Sequence, residues 1–78
     1  MMIHLTKIDP AKNQARFYSL DLQPTLFGEW AVIRRWGRIG TEGRGRSRFY
    51  LAKPEAEAAL SSELKRRNRR GYIADPAA

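Results

Sequence analysis

The sequence contains no cysteine and a single histidine, His4. A disulfide framework and a thiolate metal site are therefore excluded, and one imidazole does not build a zinc centre. Absence of cysteine suits a reducing, intracellular compartment. Long apolar runs are also missing. Nothing approaches the ~20 residues a bilayer-spanning helix needs, and "MMIHLTKIDP" lacks the apolar stretch of a signal peptide. The expectation is a soluble, cytoplasmic chain with no membrane partner. At 78 residues there is room for one domain at most. A chain this short buries only about 60% of the surface it exposes when unfolded, so its core is small. No linker, repeat or low-complexity tract divides it. The reading is one domain over residues 1–74, with "DPAA", residues 75–78, as a flexible tail.

What the chain has is positive charge, in one place. Net charge is +7 from fifteen basic and eight acidic side chains. Residues 1–33 are neutral, with Lys7, Lys12 and Arg16 against Asp9, Asp21 and Glu29; the whole excess lies in residues 34–78. Eleven of the fifteen basic residues are arginine, whose planar fork suits phosphate and lies flat on rings. A polyanionic partner is the natural expectation. The plainer explanation, a solubility surface, fits scattered charge better than charge confined to "RRWGRIGTEGRGRSRF" and "KRRNRR".

The pattern along the chain is first period-two, then helical. "MIHLTKI" sets Ile3, Leu5 and Lys7 against His4, Thr6 and Ile8, and Asp9-Pro10 turns the chain. "ARFYSLDL" points Tyr18, Leu20 and Leu22 one way and Phe17, Ser19 and Asp21 the other. "EWAVIRRW" is apolar on both faces in its first half, as a central strand is. "GRIGTEG" reads as a turn, and "RGRSRFYLA" returns with Arg44, Arg46, Arg48 and Tyr50 on one face. Strands are thus expected near 2–8, 14–22, 29–36 and 46–52. A helix follows near 54–70, with Pro54 in its first turn, Glu55 and Glu57 at the positive dipole end, and Gly71 as its stop. Its apolar stripe is Ala56, Ala59, Leu60 and Leu64. Lys65, Arg66 and Arg69 fall toward solvent, while Arg67 and Arg70 fall near the stripe, as if the helix overran the sheet. "YIA" suits a short strand or simple packing. The fold class is α+β, a mostly antiparallel sheet of about four to five strands with one helix packed on one face.

Enzyme chemistry finds little support. The glycines at 37, 40, 43 and 45 lack the lysine and hydroxyl of a phosphate loop and miss the dinucleotide-binding pattern. His4 has no nucleophile partner, the carboxylates form no acid/base pair, and no cofactor or metal is expected. Binding chemistry fits better. Arginines contact phosphates, glycines admit a close backbone, and an aromatic offers a stacking face. All three meet at Trp36-Gly37-Arg38. Spacing alone leaves Trp36 open between the last core position of its strand and an exposed ring, whereas Trp30, flanked by apolar residues, is expected in the core. Arg44, Arg46 and Arg48 also fit a solvated face that discourages edge pairing, and "KRRNRR" fits complementation of the helix dipole.

"RRWGRIGTEGRGRSRF", preceded by "FGEWAVI" and followed by a helix ending near "RRGY", resembles the WGR domain across nearly the whole chain. That family is known from DNA-damage-responsive poly(ADP-ribose) polymerases and from bacterial proteins. The resemblance implies a mostly antiparallel sheet with one helix. It places Trp36 at a surface, against the sugar of a terminal nucleotide, and Gly37 where a backbone approaches closely. Arg38 matches the motif arginine, which in the polymerases serves contacts between domains; here it is left to nucleic acid or another protein. The expectation is a stand-alone nucleic-acid-binding module, favouring DNA over RNA and DNA with ends or breaks, in which Arg34, Arg35, Arg38, Arg44, Arg46 and Arg48 hold phosphates. The alternative is an adaptor whose basic face docks an acidic or DNA-repair protein.

Overall fold

The computed structural model describes residues 2–74; the tail expected at 75–78 lies outside them. Five strands, β1 (Met2–Asp9), β2 (Gln14–Pro24), β3 (Trp30–Arg38), β4 (Arg44–Tyr50) and β5 (Ile73–Ala74), form one antiparallel sheet in the order β4-β3-β2-β1-β5. A 3-10 turn at Pro10–Lys12 closes the first hairpin, and one helix, α1 (Lys53–Arg69), crosses one face. The chain is therefore α+β.

The strands end where their partners do. β2 and β3 run two residues past their expected ends, to Pro24 and Arg38, because they pair without a break from Arg16↔Arg38 to Pro24↔Trp30. β4 stops at Tyr50, short of the expected residue 52, because Tyr50 pairs with Trp30, where β3 begins. Leu51 and Ala52 form a bend into α1. Pro54 occupies the first turn of α1 and Glu55 meets the positive dipole end, although no side chain caps the helix. Gly71, at φ +94°, follows its end.

Alternation along each strand sorts residues onto two faces. The face under α1 holds Leu5, Tyr18, Leu20, Leu22 and Val32, which close a core with Ala56, Leu60 and Tyr72. Leu60 is buried as the apolar stripe requires, Leu64 is half-buried, and Lys65, Arg66 and Arg69 are exposed. Two expectations are corrected. Trp30 is half-buried rather than core, since it sits in the first pair of β3, at the end of the sheet, with Lys53 Nζ 5.1 Å from its ring centroid. Arg67 does not overrun the sheet: its guanidinium lies 4.2 Å from the Tyr18 ring centroid, inside the span of the core.

Candidate nucleic-acid interface

Strand register also sorts the charge. Under α1, the paired strand positions carry Lys7, Arg16, Arg34, Arg38, Arg44, Arg46 and Arg48 against Asp9 alone. The opposite face carries Arg35 and Asp21 and is neutral. Arg44, Arg46 and Arg48 are exposed along the edge strand β4, and none has a hydrogen-bond or ion-pair partner among the described residues. Arg34 pairs across the sheet with Arg46, and Trp36 with Arg44.

Trp36 stands among these arginines, half-buried. Its ring stacks on Tyr18 with centroids 6.1 Å apart and planes 20° from parallel, and Tyr18 meets Tyr72 edge-on at 6.0 Å. The indole thus packs against the core on one side and keeps part of its surface open. It forms a ridge between two basic grooves. One, of about 290 Å³, is lined by Tyr18, Arg34, Trp36, Arg46 and Arg67. The other, of about 380 Å³, is lined by Arg16, Trp36, Gly37, Arg38 and Arg67 together with Tyr18 and Tyr72.

The turn after Trp36 is held by bonds to the Ala15 and Arg38 carbonyls. Ile39 N donates to the Ala15 carbonyl (2.8 Å), and the Thr41 hydroxyl and amide both donate to the Arg38 carbonyl (2.8 and 3.1 Å). What approaches Gly37 closely is Gly43: a Cβ built on Gly37 would lie 2.7 Å from Gly43 Cα and 3.3 Å from the Phe17 ring. Gly43, at φ +70°, has no room for a Cβ either, because the Trp36 carbonyl and the Phe17 ring fill that space. Two glycines in contact let β3 and β4 close tightly beside Trp36.

In the lining of a third groove, with Arg34, Arg48 and Arg66, stands a residue not singled out from the sequence, Glu63. It is 7% exposed. The Tyr18 hydroxyl donates to Glu63 Oε1 at 2.7 Å, and Arg67 Nε donates to the same oxygen at 3.1 Å. Arg66 and Arg34 approach Oε2 at 3.5 and 4.0 Å. Burial works against the carboxylate's charge, but the bonds from Tyr18 and Arg67 and the charges of Arg67 and Arg66 outweigh it, so its pKa lies below the ordinary value. Burial pushes the Tyr18 hydroxyl upward, helped by the bond to Glu63 and by its negative charge. The Tyr18 side chain is therefore a neutral donor to an ionised acceptor. Ala56, Leu60 and Glu63 stand at i, i+4 and i+7, so the helical period was the signal that places Glu63 inward.

Of the eight residues singled out, the structure brings Arg34, Trp36, Arg38, Arg44, Arg46 and Arg48 onto one face, with the Gly37 backbone beside them. Arg35 points to the opposite face, where its Nη2 donates to the Glu42 carbonyl at 2.8 Å. Arg16, Arg66 and Arg67 join the face and had not been singled out.

The WGR domain model matches residues 1–78. The chain belongs to the WGR domain family. Family membership supports a nucleic-acid-binding module in general. The chain is 32% identical over 74 residues to "Uncharacterized protein y4dW" of Sinorhizobium fredii, covering 95% of this chain and 36% of that protein. Its fold is similar to the crystal structure of a Bacteroides fragilis protein, with a TM-score of 0.81 and 27% identity over 96% of this chain and 19% of that one. The WGR chain thus spans about a third and about a fifth of these two relatives. Among its described residues no helix is long and apolar enough to cross a membrane. No group of three or more His, Cys, Asp or Glu side chains among them is placed to hold a metal ion.

Proposed function

We propose that the sheet face beneath and beside α1 binds DNA, preferring ends or breaks, and that it acts as a binder rather than a catalyst. The single observation that carries this reading is the unpaired arginine row of β4 running alongside a half-open tryptophan ridge on the same face. Arg38, Arg44, Arg46 and Arg48 hold phosphates, and Arg34 lines the groove they border. The open edge of Trp36 meets the sugar or base of a terminal nucleotide. A ring seated between shallow grooves reaches a nucleotide most readily where its own stack is interrupted, which is the condition of an end or a nick. The resemblance to the DNA-damage-responsive polymerases favours DNA over RNA. Gly37 and Gly43 act on this site indirectly, by fixing the turn that presents Trp36 and Arg38.

The test is a fluorescence-anisotropy titration against blunt, nicked, closed circular and single-stranded DNA and duplex RNA. The expected order puts blunt and nicked DNA first. Log affinity should fall linearly with log salt, by about 0.9 per phosphate neutralised. A folded Trp36→Ala protein should lose about 1–3 kcal/mol on blunt DNA with an unchanged salt slope. Equal binding of blunt DNA by wild type and folded Trp36→Ala would end the stacking role. Retention that ignores salt would favour docking of a protein partner instead.

A further inference from the structure

No helix crosses the face of the sheet away from α1, and that face is mixed: Asp21 and Ala31 are buried on it, and Thr6, Ser19, Arg35 and Ser47 share it with apolar residues. Antiparallel sheets with one solvated face normally present polar residues there. Here it presents Met2, Ile8, Ile39, Phe49 and Ile73, five of the eight large hydrophobic residues that are exposed among the described ones. Phe49 alone is 55% exposed and Ile8 65%. Between them Phe17 stacks on His4 with centroids 6.1 Å apart and planes 13° from parallel, at one wall of an open groove of about 530 Å³. Register gathers Ile8, Ile39 and Ile73 around Phe17 at one end of the face, with Phe49 at the other, and a cluster of exposed apolar residues such as the first marks an interaction site.

We infer that this face is covered by a second copy of the chain, in a back-to-back dimer whose arginine faces point outward. The charge distribution selects that occupant. A chain of net charge +7 repels its copy through any contact that brings the arginines together. That face carries Arg35 and Asp21, with Glu42 at the rim of its groove, so two copies meet there without a concentration of like charge. With sheets about 10 Å apart, the two arginine faces stand roughly 20 Å from each other, about two Debye lengths at physiological salt. Area permits it too. Four strands about 4.8 Å apart and about 25 Å long, with little added by the short β5, offer on the order of 500 Å² per copy. Two copies then cover about 1,000 Å², the lower limit for a stable interface, so dimerisation at micromolar concentrations is the expectation. The same patch serves both copies, as a two-fold interface requires. One consequence rests on the proposed function: the dimer holds two nucleic-acid segments on opposite sides, and avidity follows.

The test measures mass without nucleic acid, so it stands whether or not the proposed function does. Nuclease-treated full chain is run by sedimentation equilibrium from about 1 µM to 500 µM, in 0.15 M and 1 M salt, concentrations chosen around the micromolar range typical of an interface this small. Expected is a dimer of twice the 9.0 kDa chain mass that persists or tightens at high salt. Phe49→Asp on β4 and Ile8→Asp on β1 should each weaken the dimer at least tenfold while circular dichroism stays unchanged. A wild-type chain that remains monomeric throughout overturns the inference, as does a dimer that dissociates in 1 M salt. A dimer unaffected by either folded variant overturns it as well.

Discussion

Replacing Glu63 with alanine tests how the grooves are held. Tyr18, 2% exposed, loses the acceptor at 2.7 Å to which it donates. An unsatisfied donor in such a place costs about 1–3 kcal/mol. Arg67, whose side chain keeps 21% of its surface, turns to water, so its lost ion pair adds no more than about 1 kcal/mol. The sum is about 1–4 kcal/mol, against roughly 4–12 kcal/mol for a domain of this length. In a chain this small that lowers Tm by about 5–30 °C. Tyr18→Phe removes the same bond from the other side, so the double variant should cost less than the two single ones together. Glu63→Gln keeps the shape and removes the charge, which isolates the pH dependence. The folded carboxyl titrates below its ordinary value of 4.5, so its contribution is complete above that pH and is lost as pH falls through the lowered folded pKa. Wild type should therefore lose stability below about pH 4.5 more steeply than Glu63→Gln, the extra slope being this one group's proton uptake. Urea midpoints at pH 3 to 7, read by tryptophan fluorescence, supply the data. An unchanged midpoint for Glu63→Ala at pH 7 would refute the role assigned to this network.

Four further outcomes follow from the same geometry. Leu60→Ala should cost about 2–5 kcal/mol, measured by thermal melts, because Leu60 is buried between α1 and the sheet. Gly40 and Gly43 both have positive φ, but only Gly43 lacks space for a Cβ. Gly40→Ala should thus cost about 1–2 kcal/mol in backbone strain, and Gly43→Ala clearly more, with loss of DNA affinity as the turn beside Trp36 opens. Replacing Arg44 and Arg46 together by alanine should flatten the salt slope by about two phosphate equivalents and leave the melting temperature within a few degrees. Trp36→Ala and Trp30→Ala, both half-buried, should both stay folded by circular dichroism, and only Trp36→Ala should weaken DNA binding.

The sequence by itself determined the elements and their faces. A period of two in "ARFYSLDL" and the alternating arginines of "RGRSRFY" already state which side of each strand a residue takes, because successive side chains must point oppositely. Ala56, Leu60 and Leu64 state the inner side of the helix in the same way. Motif residues that are neighbours along the chain identified the family. Tertiary structure alone decided which strand lies beside which, and with it everything that depends on register. The pairing of Arg34 with Arg46 and Trp36 with Arg44, and the return of Arg16 to a site eighteen or more residues away, follow from how long hairpins close. Trp30 looked like core because apolar residues flank it, but burial depends on what stands across the sheet, and at that end it is Lys53, in the first turn of α1, that meets the ring. Arg67 and Glu63 looked like charges on a helix. Their positions over and beside Tyr18 join residues forty-five or more apart, and a buried carboxylate stays ionised only where donors from two elements converge on it. Spacing shows which way a side chain faces; only packing supplies the partner it meets there.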